Sequence, residues 1–139
     1  MPYLEWPKVR ANGPSFWLVP LGTGGILYPP HSLHPLVGDK RLIEQIAPVQ
    51  DDLWFKAMSL KQGIPCRAIG GDKLMRLLEF EEKTRLWELN EGRNDATWQQ
   101  ILSHFGITPD MIAAQEMRLR AGRDAETFPT SAVGSASTR

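Results

Sequence analysis

Residues 51–62 read DDLWFKAMSLKQ and carry the clearest periodic pattern in the chain. Apolar side chains recur there at close to the helical period of about 3.6 residues. Those side chains are Leu53, Trp54, Ala57, Met58 and Leu60. Gly63 and Pro65 follow as stop signals, because glycine ends helices readily and proline cannot continue one. The pattern predicts a helix from Asp51 to about Gln62.

Three short apolar runs around this helix predict β-strands. They are SFWLV at 15–19, GGILY at 24–28 and PCRAI at 65–69. Each run is bounded by proline or glycine, and proline cannot donate to a strand ladder, so the strands are expected to be short and to end sharply. Between the second run and the helix, residues 31–37 and 40–46 are expected to form short helical turns.

The second half of the chain has the pattern of helices. Residues 72–89 are expected to be helical in their first part, and residues 94–105 carry an apolar face that ends at Gly106. Thr108 and Pro109 then form a start signal for a last helix. Threonine caps helix N-termini with its hydroxyl oxygen, and proline is favoured at the first helical position.

Together these segments predict a mixed α/β fold with a few short strands, flanking helices and a helical C-terminal part. Residues 1–122 are expected to form one domain, because a chain of 139 residues buries only one modest core. Residues 123–139 are mostly small and polar and are expected to be a disordered tail.

The composition argues against several classes of function. Sixteen basic and sixteen acidic residues give a formal net charge of zero, which provides no general attraction to nucleic acid. No apolar run approaches the roughly 20 residues of a membrane-spanning helix, and the first residues lack the pattern of a secretory signal. The single cysteine, Cys66, excludes an intrachain disulfide and suits a reducing compartment. A cytoplasmic location is therefore expected.

The adjacent aspartates Asp51 and Asp52 stand where the predicted helix begins. One of them can cap the helix, and both favour its positive end. Capping needs only one carboxylate, so the second can face a pocket as a general base or a metal ligand. The local pattern leaves both interpretations open.

A glycine cluster and the tryptophans are further candidates for a binding site. The stretch GTGG at 22–25 lacks the spacing of a dinucleotide fingerprint, but its glycines allow a positive φ, a tight turn or the close approach of a ligand. Trp17 lies on an irregular or edge segment, where its flat face could stack against a sugar ring. Trp54 falls at a helical apolar position and is expected to pack in the core.

The histidines form only a weak metal pattern. His31 and His34 are spaced as neighbours on one helical face, close to Asp39 in sequence. A zinc site needs further ligands, and no convincing third ligand is present in the sequence. Two surface histidines explain this spacing better than a zinc site does.

A longer stretch resembles a known family. GTGGILYPPHSLHPLV at 22–37, followed by LIEQIAPVQDDLWFKAM at 42–58, resembles the C-terminal half of bacterial glycosyltransferases of the A-type fold, family-2-like, that act on surface polysaccharides. The two motifs GGILYPP and DDLWFKA, at this spacing, carry the resemblance, which covers about residues 3–105. It implies a partial A-type fold in this chain.

The resemblance also implies roles for individual residues. Asp52 would be the catalytic base that deprotonates an acceptor hydroxyl for an inverting displacement, and Asp51 would hold the acceptor or fix the helix start. Gly24 and Gly25 would leave room beside the donor sugar or the acceptor, and Tyr28 would form the pocket wall. With Trp17, these glycines and Tyr28 are the expected substrate-binding residues. The donor would be a nucleotide-diphosphate sugar, and the acceptor a glycan or a lipid-linked glycan.

One feature of that family is absent from the sequence. A complete enzyme has a nucleotide-binding half with an Asp-x-Asp motif that holds Mn²⁺ or Mg²⁺, and no Asp-x-Asp occurs in this chain. The chain is therefore expected to be a truncated enzyme, with the cation and the donor bound by the missing half or by a separate chain. A cytoplasmic position, or one peripheral to the inner membrane, would suit that role. The alternative is a non-catalytic remnant or a carbohydrate-binding or interaction module.

Overall fold

The computed structural model describes residues 13–22, 25–69 and 92–127. The described part of the chain contains four α-helices and a short 3₁₀ turn at Pro35–Gly38. The helices are α1 (Lys40–Ile46), α2 (Asp51–Gln62), α3 (Arg93–Phe105) and α4 (Pro109–Thr127). Among the described helices, none combines the length and the apolar character that crossing a membrane requires.

The predicted mixed α/β fold, and with it the partial glycosyltransferase A-type fold, is wrong for the described residues. They form helices and no strand or sheet. The only β-pairing among them is an isolated antiparallel bridge between Ser15 and Cys66. In this bridge Ser15 N donates to Cys66 O at 2.8 Å, and Cys66 N donates to Ser15 O at 3.1 Å.

Two features of the backbone explain why this bridge does not grow into a sheet. Hydrogen-bonded pairs alternate along an antiparallel ladder, so the next pair beside Ser15 and Cys66 would be Trp17 with Ile64. Trp17 N instead donates to Ser15 Oγ at 3.1 Å, and Ile64 N donates to Ser59 O at 3.0 Å. Residue 24 of the predicted strand at 24–28 lies outside the described residues. Residues 25–28 pair with no strand among the described residues.

Several helix boundaries confirm the sequence-based predictions. The bounds of α2 are those predicted, and Gly63 ends it in the left-handed conformation with a φ of 71°. At the start of α4, Thr108 Oγ1 accepts a hydrogen bond from Met111 N at 3.2 Å, which is the predicted cap. Helix α4 continues to Thr127. Residues 72–89 and 128–139 lie outside the described residues.

Helix α2 is the centre of the core. It packs against α3 and the 3₁₀ turn, and α1 also contacts α3. The main cluster of buried apolar side chains consists of Ile46, Ala47, Leu53, Trp54, Ala57, Met58 and Ile101. Trp54 is buried, its ring packs near Phe105, and its Nε1 donates to Val37 O at 3.1 Å. The prediction that Trp54 packs in the core is confirmed.

A second buried cluster joins the start of the described chain to the last helix. It consists of Phe16, Leu60, Ile107 and Ile112. Partly buried side chains of α3, including Trp98 and Phe105, contact both clusters. Helix α2 is therefore well packed, because its side chains belong to both clusters. Its first turn carries the candidate site.

Candidate functional site

Asp52 lies in the first turn of α2, and its carboxylate turns away from the helix backbone toward the glycine segment. Gly22 N donates a hydrogen bond to Asp52 Oδ1 at 2.9 Å. The N-cap of α2 is Gln50, whose side chain makes no capping hydrogen bond. Neither aspartate accepts a hydrogen bond from an amide of α2 within the described residues. Side-chain capping therefore does not account for the aspartate pair.

The pKa of Asp52 is raised above the usual value of an aspartate. Burial is the largest cause, because it disfavours the charged carboxylate. The Gly22 hydrogen bond lowers the pKa, and the negative charge of Asp51 raises it. Asp51 itself is exposed. The pair thus consists of one solvent-facing carboxylate, Asp51, and one partly buried carboxylate, Asp52, whose pKa is raised.

The glycine segment reaches the site through close backbone contacts. A Cβ atom added at Gly22 would lie 3.2 Å from Asp52 Oδ1, so this position favours glycine. Gly25 N donates to Gly22 O at 3.0 Å, and Gly25 has a φ of 79°, which other residues rarely adopt. The segment therefore forms a turn that also approaches Asp52. Gly24 lies outside the described residues.

Tyr28 borders the same region with its ring and its hydroxyl. The Tyr28 ring packs on Phe55, with 5.2 Å between the ring centroids. Its hydroxyl oxygen is buried and has no hydrogen-bond partner among the described residues. Burial, followed by the charges of Asp52, Cys66 and Asp51, raises the pKa of Tyr28 to about 12. Tyr28 therefore keeps its proton at neutral pH and remains a hydrogen-bond donor.

Trp17 is not tied to this group by the described contacts. It is half exposed, and its backbone N donates to Ser15 Oγ at 3.1 Å. No hydrogen bond or ring contact among the described residues joins Trp17 to Asp52 or Tyr28. The structure thus brings Gly22, Asp52 and Tyr28 together and leaves Trp17 as a separate exposed aromatic surface.

His34 and Asp39 have structural roles at the starts of short helical segments. His34 Nδ1 accepts from Leu36 N at 3.3 Å, and Asp39 Oδ1 accepts from Leu42 N at 3.1 Å, so both side chains cap short helical segments. His31 is exposed and has a positive φ of 64°. In the described ranges, no group of three or more His, Cys, Asp or Glu side chains could hold a metal ion. These residues do not fit a divalent-cation site.

Sequence reasoning missed a buried polar group on α2. Lys56 is only 2 % exposed, and its Nζ donates to Cys66 Sγ at 3.8 Å. Burial lowers the pKa of Lys56, opposed by Cys66 and by the charge of Glu116. A signal for this position exists in the sequence. Lys56 stands three residues after Leu53 and four before Leu60, within the apolar face of the helix.

Glu116 is a second buried charge that sequence reasoning missed. Its Oε2 accepts from Phe16 N at 2.8 Å and from Ser15 Oγ at 3.0 Å. Its Oε1 accepts from Arg120 Nε at 3.2 Å. Glu116 therefore ties α4 to the segment that holds the Ser15–Cys66 bridge. A signal for this position also exists in the sequence, because Glu116 stands four residues after Ile112 and three before Leu119, within the apolar face of α4.

Comparison with known proteins adds no relative. No protein family, no curated protein and no solved structure matches the chain.

Proposed function

We propose that this chain provides the acceptor-binding side and the catalytic base of a glycosyltransferase, with Asp52 as the base. The observation that carries the proposal is the setting of the Asp52 carboxylate. One oxygen, Oδ1, is held by Gly22 N at 2.9 Å. The other oxygen, Oδ2, accepts no hydrogen bond from the described residues. Support comes from this site and from the two sequence motifs, and not from the helical architecture.

The setting suits a base that takes a proton from an alcohol. In an inverting transfer, the acceptor hydroxyl oxygen attacks the anomeric carbon of the donor sugar while the bond to the diphosphate breaks. Asp52 takes the acceptor proton, and the leaving diphosphate keeps the electron pair. A base must lie within hydrogen-bond reach of that hydroxyl. Gly22 fixes the orientation of the carboxylate through Oδ1, so Oδ2 is the oxygen we assign to the acceptor proton.

Tyr28 and Asp51 have supporting roles in this proposal. The Tyr28 ring forms the pocket wall, and its hydroxyl, which is buried and lacks a partner among the described residues, donates to an acceptor oxygen once the side chains that cover it move on binding. Asp51 is solvent-facing and accepts hydrogen bonds from acceptor hydroxyls. Gly25, together with Gly24 outside the described residues, leaves space for the sugar. Trp17 offers an exposed aromatic face to a more distant sugar unit.

The donor is a nucleotide-diphosphate sugar, and the acceptor is a glycan or a lipid-linked glycan of surface-polysaccharide synthesis. The described residues do not fit a Mn²⁺ or Mg²⁺ site, so the proposal assigns no step to a metal ion in them. The donor and any cation on its diphosphate are bound by another part of the enzyme or by a separate chain. That activity places the protein in the cytoplasm or at the inner face of the inner membrane.

The proposal is tested first by acceptor binding and then by transfer. Saturation-transfer NMR on the chain with a panel of surface-polysaccharide oligosaccharides measures binding. A radiolabel assay with uridine, guanosine and thymidine diphosphate sugars and Mn²⁺, run with the donor-binding part of the enzyme or the separate donor-binding chain present, measures transfer. The variants are Asp52→Asn and Asp51→Asn. The matched control is Asp110→Asn, which changes an exposed aspartate in the first turn of α4.

The wild type and the Asp52→Asn variant are expected to bind the same oligosaccharides with similar affinity. Transfer by Asp52→Asn is expected to fall by about 10²-fold or more, the contribution of a general base, whereas Asp110→Asn leaves transfer unchanged. Transfer by Asp52→Asn at the wild-type rate would contradict the assignment of the base. Failure of every oligosaccharide to bind would contradict the acceptor site. Binding without transfer from any donor would favour a non-catalytic carbohydrate-binding module.

A further inference from the structure

A buried lysine and the only cysteine of the chain lie side by side, and neither is one of the residues assigned to the proposed acceptor site. Lys56 Nζ and Cys66 Sγ are 3.8 Å apart. Helix α2 holds the lysine, and the backbone bridge to Ser15 holds the cysteine. The hydroxyl of Ser59 lies 4.0 Å from the same sulfur. Helix α2 therefore positions the amine of Lys56, and the backbone bridge to Ser15 positions the sulfur of Cys66.

The amine has an unusual environment for a lysine. Lys56 is 2 % exposed, and Cys66 is the one hydrogen-bond partner of Nζ among the described residues. Burial lowers the pKa of Lys56, so a larger fraction of the amine is neutral than on an exposed lysine. The neutral form carries the lone pair that makes an amine a nucleophile. Lys56 is thus closer to a reactive amine than a fully exposed lysine is.

The thiol is open to oxidation and has no second thiol in its own chain. Cys66 is partly exposed as a residue, and the proposal requires only that a molecule as small as hydrogen peroxide reach its sulfur. The sequence contains one cysteine, so oxidation cannot end in an intrachain disulfide. A cysteine sulfenic acid reacts with a neighbouring thiol or nitrogen nucleophile. The nitrogen nucleophile beside Cys66 is Lys56 Nζ.

We propose that Lys56 and Cys66 form a reversible sulfur–nitrogen cross-link when the protein meets hydrogen peroxide. In the first step the thiol attacks peroxide, giving the sulfenic acid and one water. In the second step Lys56 Nζ attacks the sulfur, the S–N bond forms, and hydroxide leaves and takes a proton from the nitrogen as water. The sulfur is oxidised by two electrons, peroxide is reduced to two waters, and the chain loses two hydrogen atoms.

The cross-link would join α2 covalently to the segment that follows it. Two equivalents of a thiol reductant reverse it, because the first attacks the sulfur and releases the amine, and the second restores the cysteine thiol and forms a reductant disulfide. The same reaction would protect Cys66 from the sulfinic and sulfonic acids, which thiols do not reduce. The cross-link proposal is independent of the glycosyltransferase proposal, since the cross-link involves neither Asp52 nor Tyr28.

The test is peroxide treatment of the purified chain, followed by intact mass and peptide mapping. The expected product has lost two hydrogen atoms, resists trypsin after Lys56, and contains one peptide in which Lys56 is joined to Cys66. Dithiothreitol is expected to restore the starting mass and the cleavage. The same treatment in concentrated urea is expected to reduce the yield by roughly tenfold or more, because the positioning of the two atoms is lost.

Two variants test whether the amine in the cross-link is that of Lys56 or that of Lys61. Lys56→Met is expected to abolish the product, and Lys61→Met, on the same helix, is expected to form it as the wild type does. Circular dichroism establishes that each variant is folded, and the urea arm tests the proposal without any variant. Four results would overturn it: an unchanged mass, a product with added oxygen atoms only, a disulfide-linked dimer, or the same cross-link yield in urea.

Discussion

Gly22 N donates to Asp52 Oδ1 at 2.9 Å across thirty residues of sequence. This single hydrogen bond joins the glycine turn to the first turn of α2 and determines the direction in which the carboxylate points. Helix α2 is in turn fixed by the core through Trp54 and Met58, which are almost fully buried. Asp52 is therefore held from both sides, a rigid arrangement that suits a residue with a chemical role.

The first prediction concerns the stability of Asp52 variants. Asp52→Ala removes the acceptor for Gly22 N and is expected to lower the free energy of unfolding by about 0.5–1.5 kcal/mol. Asp52→Asn keeps a carbonyl oxygen at this position. Because the folded pKa of Asp52 is raised, its ionised form costs stability, which falls as pH rises through that pKa. At pH 7 the asparagine variant is therefore expected to be at least as stable as the wild type.

Urea unfolding at pH 7 measures these differences, with Asp110→Asn as the control on an exposed first-turn aspartate. Equal losses in Asp52→Ala and Asp52→Asn would mean that the Gly22 contact depends on the negative charge.

The helices could be predicted from the sequence because their signals are local. The apolar period of residues 51–62 and the stop at Gly63 give α2, and Thr108 with Pro109 gives the start of α4. The predicted strands are wrong for the described residues, because a strand requires a partner and no local pattern shows whether one is present. Residues 15–19 have the composition of a strand, yet the amide of Phe16 pairs with a glutamate 100 residues away.

The candidate site was predictable in part for the same reason. Asp51, Asp52, Gly25 and Tyr28 stand in motifs, so sequence alone draws attention to them. The contact of Gly22 with Asp52, and the buried setting of Lys56 beside Cys66, depend on how distant segments meet. Only the interruption of an apolar face by a lysine hints at the second of these.

The second prediction concerns the hydroxyl of Tyr28. A buried hydroxyl without a partner costs about 1–3 kcal/mol. Tyr28→Phe is therefore expected to leave the free energy of unfolding unchanged or to raise it by up to about 1 kcal/mol, and to weaken oligosaccharide binding. The pKa of Tyr28 is raised from 10.0 to about 12. The free energy of unfolding of the wild type therefore falls as pH rises from 10 toward 12, because the phenol ionises more readily in the unfolded chain than in the fold. The phenylalanine variant lacks this loss.

Chemical denaturation at pH 7 and above pH 10, together with NMR titration of the oligosaccharide, measures both effects. A clear loss of stability in Tyr28→Phe at pH 7 would mean that the hydroxyl is hydrogen-bonded within the protein, and it would remove Tyr28 from the proposed acceptor site.

The third prediction concerns the end of α2. Gly63 has a φ of 71° and a ψ of 27°, and its N–H donates to the last turn of the helix. Gly63→Ala is expected to lower the free energy of unfolding by about 1–2 kcal/mol, because the left-handed conformation crowds a Cβ atom.

Gly38→Ala is the matched control. A Cβ there meets no atom within 4 Å, and its φ is not positive. Thermal and urea unfolding of the two variants give the comparison, and equal effects would contradict the conformational explanation.

The last prediction concerns the pH dependence of stability through Glu116. Burial raises the pKa of this carboxyl, but hydrogen bonds from Phe16 N, Ser15 Oγ and Arg120, together with the charge of Arg120, outweigh it and hold the pKa below its usual value. The folded protein therefore binds fewer protons than the unfolded chain just below the usual glutamate pKa of about 4.3. The contribution of Glu116 is complete above that pH and is lost as pH falls through the folded pKa.

Glu116→Gln is expected to lower the free energy of unfolding at pH 7 by about 1–3 kcal/mol. The amide N–H₂ replaces one of the two carboxylate oxygens, so it would face either Arg120 Nε or the donors Phe16 N and Ser15 Oγ. The difference between wild type and variant is expected to shrink as pH falls below about 4.3, because the wild type then loses its charged acceptor. Urea unfolding between pH 7 and pH 3 measures this difference, and Glu44→Gln on the exposed side of α1 is the control. A difference that stays constant across this range would mean that the negative charge of Glu116 does not hold α4 to Phe16.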